Sequence, residues 1–165
     1  MTSGCLLEWA SRIARELSRS ALWFDGTCSW VQLQLQPRPR QGKVVATACG
    51  PTMYAGTSGI AYFLAEAYAA TGERVFSRTA LGGLEHALDC AGDVAAGGEL
   101  GLYDGALGIG FAAFEGGRLL QDEGVVARAL RVLDIVRARG VKQQPFPPGA
   151  IVSQLPPFAL ATDTL

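Results

Sequence analysis

The chain has 165 residues, 49% of them hydrophobic and 18% charged, with 14 Lys and Arg against 15 Asp and Glu for a formal net charge of −1. This balance excludes a disordered polyelectrolyte and leaves no electrostatic footprint for nucleic acid or an anionic membrane, and the length suits one domain. No apolar run reaches the roughly 18 residues that span a bilayer, so a soluble, cytoplasmic protein with reduced thiols is expected.

The first predicted element is an amphipathic helix of about four turns. Leu6, Trp9, Ala10, Ile13 and Leu17 recur on one face, with Arg12, Arg15, Glu16 and Arg19 on the other. Asp25-Gly26 reads as the break after it. Trp30 to Gln36 alternates apolar and polar residues, Pro37, Pro39 and Gly42 interrupt, and Val44 to Ala48 is extended in character, which suits a short hairpin or an irregular excursion.

Beyond Gly50-Pro51 the pattern becomes helical. Ile60, Phe63, Leu64, Ala67 and Tyr68 form one face, ended by Thr71-Gly72. The next helix begins near Glu73, a charge suited to the positive end of the helix dipole. It runs through Phe76, Ala80, Leu84 and Leu88 until the Gly92 to Gly98 segment. Another pair follows, Ile109 to Leu120 and Val125 to Val136, with Gly140 as the stop. Residues 141–165 are rich in proline and carry no predicted element.

The 21 glycines are well above ordinary usage of roughly 7%. They have no Gly-X-Y period, and several belong to an internal repeat. Met53-Tyr54-Ala55-Gly56-Thr57-Ser58-Gly59-Ile60 and Leu102-Tyr103-Asp104-Gly105-Ala106-Leu107-Gly108-Ile109 share apolar-Tyr-x-Gly-x-x-Gly-Ile, with Gly56 and Gly105 standing 49 residues apart. The same offset pairs Glu66 with Glu115, Ala80 with Ala129, Leu81 with Leu130 and Leu84 with Leu133. A duplicated helical hairpin follows, with repeats near 53–91 and 102–139. Glycine in this pattern permits a tight turn into the helix and close approach of a neighbouring backbone. A nucleotide-binding reading fails, because neither the third glycine of the dinucleotide pattern nor Gly-Lys-Ser/Thr is present.

Several side chains invite a chemical reading, each beside a structural one. His86 and Cys90, four apart on a helix, fit one metal or a packed pair. Asp104 suits a helix N-cap or a general base. Glu66 and Glu115 suit paired carboxylate chemistry or recurrent salt bridges to Arg74 or Arg118. Trp23, Trp30 and Tyr54 suit a peptide groove or core. Cys5, Cys28, Cys49 and Cys90 include no Cys-x-x-Cys pair and read as free thiols, with Cys49 either reactive or inert by burial.

The run Gly50 to Ala65, with Tyr68-Ala69-Ala70-Thr71-Gly72-Glu73, resembles the first repeat of the lanthionine synthetase C-like family, and Leu102 to Ile109 resembles the second. The likeness covers roughly residues 5 to 137, including the lead-in helix and Thr27-Cys28-Ser29-Trp30. It implies an all-α fold, an α/α toroid of helical hairpins, of which residues 1–140 hold a partial toroid with two hairpins and an N-terminal helix. It also implies lanthipeptide biosynthesis, in which a zinc-activated cysteine thiolate adds to a dehydrated residue of a peptide to close a thioether ring.

The family's zinc-bearing repeats lie in later Trp-Cys and Cys-His-Gly contexts that have no counterpart here. Gly149-Ala150-Ile151 echoes a third repeat, with Phe146 in place of its first glycine and Lys142 at its aspartate position. The resemblance therefore assigns no catalytic residue, no metal ligand and no cofactor to this chain. It carries over only the structural motif Tyr54, Gly56, Gly59, Tyr103, Gly105 and Gly108. Expected partners are a precursor peptide or a partner protein, or a second copy through an uncovered apolar face of the second hairpin. A non-catalytic helical-repeat binding module and an α/α-toroid carbohydrate-active protein are the alternatives.

Overall fold

A computed structural model describes residues 3–36 and 43–140. Nine elements follow in order among these residues: α1 Ser3–Ser20, β1 Leu22–Phe24, β2 Thr27–Ser29, β3 Val31–Gln36, β4 Lys43–Ala48, α2 Thr57–Thr71, α3 Arg74–Ala96, α4 Ala106–Leu120 and α5 Glu123–Arg139. The protein is mostly helical. It is not purely α, because β1 pairs antiparallel with β2 and β3 with β4. The expected third-repeat echo and the proline-rich segment lie outside the described residues.

The first hairpin corrects the reading of Asp25-Gly26. Helix α1 already stops at Ser20, and Asp25 and Gly26 take φ of 46° and 81° as the two-residue loop between β1 and β2. Two consecutive positive φ values give the turn whose twist matches flanking strands, and Asp-Gly is a preferred pair for it. In the second hairpin Val31 faces Ala48 and Leu33 faces Ala46. These four side chains are exposed, so the hairpin turns its apolar face outward.

Helix α1 also docks differently from its pattern. Leu6, Trp9 and Ile13 are about half exposed, whereas Ser11 and Ala14 are buried. Small side chains let the helix approach its neighbours along that edge. The contact is fixed by Arg15, which donates two hydrogen bonds to Glu73, the closer at 2.6 Å, at the start of α3. Arg12 lies over the exposed Trp9 ring at 5.0 Å.

Helices α2–α3 and α4–α5 form two hairpins. Gly72 closes α2 in the left-handed region at φ 73°, and Gln121 closes α4 there at φ 57°. Glu73 and Asp122 then occupy the N-cap positions of α3 and α5; the Asp122 side chain accepts from Val125 N at 3.0 Å, whereas that of Glu73 makes no cap bond. Helix α3 passes through Gly92 and ends at Ala96, inside the expected Gly92–Gly98 segment, with Gly97 at its C-cap. Gly92 faces open solvent, where a missing side chain leaves no gap in packing.

The repeat offset holds in the packing. Phe76, Ala80, Gly83 and Ala87 are the buried stripe of α3, and Val125, Ala129, Val132 and Val136 are the matching stripe of α5. Among the other branched apolar residues of α5, Leu130 and Ile135 are exposed and Val126 and Leu133 are half-buried. Arg128 ties α5 to α3 by bonding Glu85 and Asp89. One core cluster joins Leu84, Leu88, Ile109, Val125 and Val132. A second joins Ala14, Cys28, Trp30, Leu64 and Phe76, uniting the N-terminal segment with the first repeat.

Candidate functional site

The residues that recur in the sequence converge at one end of the helices. Gly56 and Gly105 each precede a 15-residue helix with nearly identical backbones, φ/ψ of −143°/−173° and −143°/−174°. These φ values are accessible to any residue, so the demand for glycine comes from space. A Cβ on Gly56 would meet the Gly50 carbonyl, and one on Gly105 would meet that of Glu99. Those same carbonyls accept from Thr57 N at 2.8 Å and Ala106 N at 2.9 Å. The loop thus folds back over the helix start and satisfies an amide that the helix leaves free. Gly59 and Gly108 seat the carbonyls of Met53 and Leu102 in the same way.

The two motif loops also touch each other, through Tyr54 N bonded to Tyr103 O at 3.0 Å. Further along, Tyr62 stacks edge-on against Phe111, its counterpart in the second repeat, with ring centroids 6.1 Å apart at 72°. Helices α2 and α4 therefore run side by side in the same direction and in register.

An apolar groove of about 540 Å³ opens beside the α2 loop, lined by Leu17, Gln32, Met53, Tyr54, Ile60 and Phe63 among others. Tyr54 is 80% exposed there. The three aromatics read as a possible peptide surface separate in the structure. Trp30 is buried at 4% exposure, its Nε1 donating to Leu17 O at 2.8 Å and its ring packed on Gly83. Trp23 lies against Gly82 with Arg78 over its ring at 5.1 Å. Sequence does not bring Gln32 and Leu17 to this groove, because a wall built by three separate elements leaves no local pattern.

The remaining candidates resolve into structural contacts. Asp104 is exposed and makes no cap, the N-cap of α4 being Gly105. Glu66 is exposed rather than buried, and Tyr62 bonds to it; that bond, with burial and the charges of Glu66 and Glu115, pushes the Tyr62 hydroxyl above its usual range. Glu115 pairs with Arg118 at 3.3 Å within its own helix, while Arg74 is exposed. The expected pair with Arg118 thus forms at Glu115.

His86 is half-buried with Nδ1 at 3.1 Å from Thr57 Oγ1. Among the described residues no three His, Cys, Asp or Glu side chains gather around a common point. A zinc site of the kind the resembled family carries does not fit these described residues. Cys49 and Cys90 are pushed up by burial, Cys90 also by Asp89 and Asp93, which disfavours the reactive thiolate.

Cys28 is the most perturbed thiol. Burial raises it from 9.0 to about 11, and its Sγ donates to Thr79 O at 3.4 Å. The unfolded chain releases this proton near pH 9.0 and the folded chain only near about 11. The contribution is therefore complete below the lower value and is lost as pH rises across the window. Urea midpoints are expected to fall between the two limits, with a shallower fall in Cys28→Ala; equal slopes in the two proteins would contradict the assignment.

No family model and no curated protein matches the chain.

Proposed function

We propose that the chain supplies the opening two repeats of a lanthionine synthetase C-like α/α toroid and acts as a non-catalytic scaffold with a peptide-facing surface. The observation that carries this reading is the lateral register of the repeats. Tyr62 packs on its own counterpart Phe111, and half-buried Leu81 packs against the core shared with α4 and α5, while its counterpart Leu130 is exposed. A third repeat in the same register would place its equivalent ring on Phe111 and its core against Leu130. Stacked repeats bury their faces only against neighbours, so this pattern fits an array that continues. The groove beside Tyr54 favours the related reading of a binding module without a ring.

In the family, thioether closure requires a thiolate and a proton donor for the carbon left behind. Burial raises Cys28, Cys49 and Cys90, away from the thiolate that this step needs, which favours a scaffold role for them. The test is thioether formation in a dehydrated, cysteine-containing peptide, read by mass spectrometry after thiol alkylation. The full chain with zinc is expected to leave the thiol free. Adding the zinc-bearing later repeats of a family member in trans is expected to close the ring, faster than those repeats do alone. Cyclisation by the chain alone, or no effect of the chain on the added repeats, would overturn the proposal.

A further inference from the structure

We propose that the outward face of α1 pairs with the same face of a second copy of this chain, antiparallel about a two-fold axis. This does not rest on the toroid reading, since α1 lies outside both repeats. The face is a shallow groove of about 410 Å³ formed by α1 alone, with Trp9, Ile13 and Leu17 along one side and Arg12, Glu16 and Ser20 along the other. Each set is spaced by four residues, so the two run as adjacent ridges on the helix surface. Trp9 and Ile13 are about half exposed and Leu17 is half-buried, whereas Ser11 and Ala14 on the opposite edge are packed against the bundle. Covering the apolar ridge removes that surface from water.

The charged ridge identifies what covers it. Arg12 and Glu16 carry opposite charges, and both are exposed. A two-fold axis level with Ala14, midway between them, reverses the helix direction, so each Arg12 meets the partner's Glu16 and each Glu16 meets the partner's Arg12. The same axis places Ile13 level with the gap between the partner's Ile13 and the partner's Leu17. The apolar ridges therefore interleave, each side chain entering a space of four residues, roughly 6 Å along the helix. Arg15 does not compete for Glu16, because it is bonded to Glu73. Arg19 bonds Glu16 at 2.9 Å, and the carboxylate in the pair lies between two guanidinium groups. A lipid surface would cover the apolar ridge but would meet the Glu16 carboxylate on the same face, whereas an interfacial helix keeps its apolar face free of acidic groups.

The test is sedimentation velocity on the full chain carrying Phe111→Ser and Leu130→Gln, so that the α4–α5 face does not contribute. A contact one helix wide is below the size of a standard interface, so the working concentration is on the order of 100 micromolar. A monomer–dimer equilibrium is expected. Arg12→Glu and Glu16→Arg are each expected to weaken it by about tenfold, since two attractive pairs become two repulsive ones. An equimolar mixture of these two variants, or both substitutions in one chain, is expected to restore it, and helical circular dichroism checks that each variant is folded. The proposal is overturned by a protein that stays monomeric, by a dimer that the charge reversals leave unchanged, or by a mixture that associates no better than its components. A monomer that sediments with phosphatidylcholine vesicles would assign the face to a lipid surface and overturns the proposal equally.

Discussion

Replacing Gly108 with alanine is expected to lower the thermal midpoint by about 10 °C, which corresponds to roughly 3 kcal/mol for a chain of this size. The added Cβ would fall on the Leu102 carbonyl, which is backbone and cannot swing away, and it would also press on Met53 Cβ at 3.2 Å. The loop would have to lift, loosening the bond from Ala106 N to Glu99 O that closes it over the helix start. Gly59→Ala is expected to cost a similar amount, since its Cβ falls on the equivalent Met53 carbonyl. Gly92→Ala provides the opposite sign. It lies in the exposed interior of α3 with nothing within 4 Å, and a helical alanine there is expected to stabilise by about 0.5–1 kcal/mol. Thermal melts of the three variants check this, and a Gly108→Ala protein as stable as the parent would contradict the packing described for the repeat motif.

Trp30→Ala is expected to cost about 3–5 kcal/mol. The indole is nearly fully buried, joins the core cluster that also holds Ala14, Cys28, Leu64 and Phe76, and donates to Leu17 O in the last turns of α1. Removing it leaves a cavity over Gly83 and takes one of two donors from the Leu17 carbonyl, which also accepts from Ser20 Oγ, so α1 and both β-hairpins should loosen while α4–α5 remain packed on each other. Amide hydrogen exchange is the appropriate readout. Faster exchange confined to residues 3–48 is the expected result; uniform acceleration across all five helices would show that the N-terminal segment and the repeats form a single cooperative unit.

The two helical hairpins were legible in the sequence because their cause is local and repeated. Glycine spacing, Thr71-Gly72 and Glu73 each report a turn, a stop or a cap within a few residues. The strands were harder to read. Leu22–Phe24 and Thr27–Ser29 are three residues each, too short to show a period, and Asp25-Gly26 can break a helix or turn a hairpin. Helix α1 misled for a different reason, since its strongest apolar stripe faces outward and its buried edge consists of Ser11 and Ala14, which carry little hydrophobic signal. The groove was only partly visible, because Tyr54 belongs to the motif but Leu17 and Gln32 reach it through tertiary contacts.

The most direct measurement of whether these hairpins belong to a longer ring of repeats is sedimentation velocity on the full chain. On the proposed reading, Phe111 at 39% exposure and Leu130 at 47% would face a third repeat, and an apolar face left open to solvent promotes association. Reversible self-association is expected at concentrations on the order of tens of micromolar, and Phe111→Ser with Leu130→Gln is expected to shift the protein towards monomer. A monodisperse monomer that unfolds cooperatively, with no change on these substitutions, would contradict an interrupted ring and indicate a self-contained helical binding module.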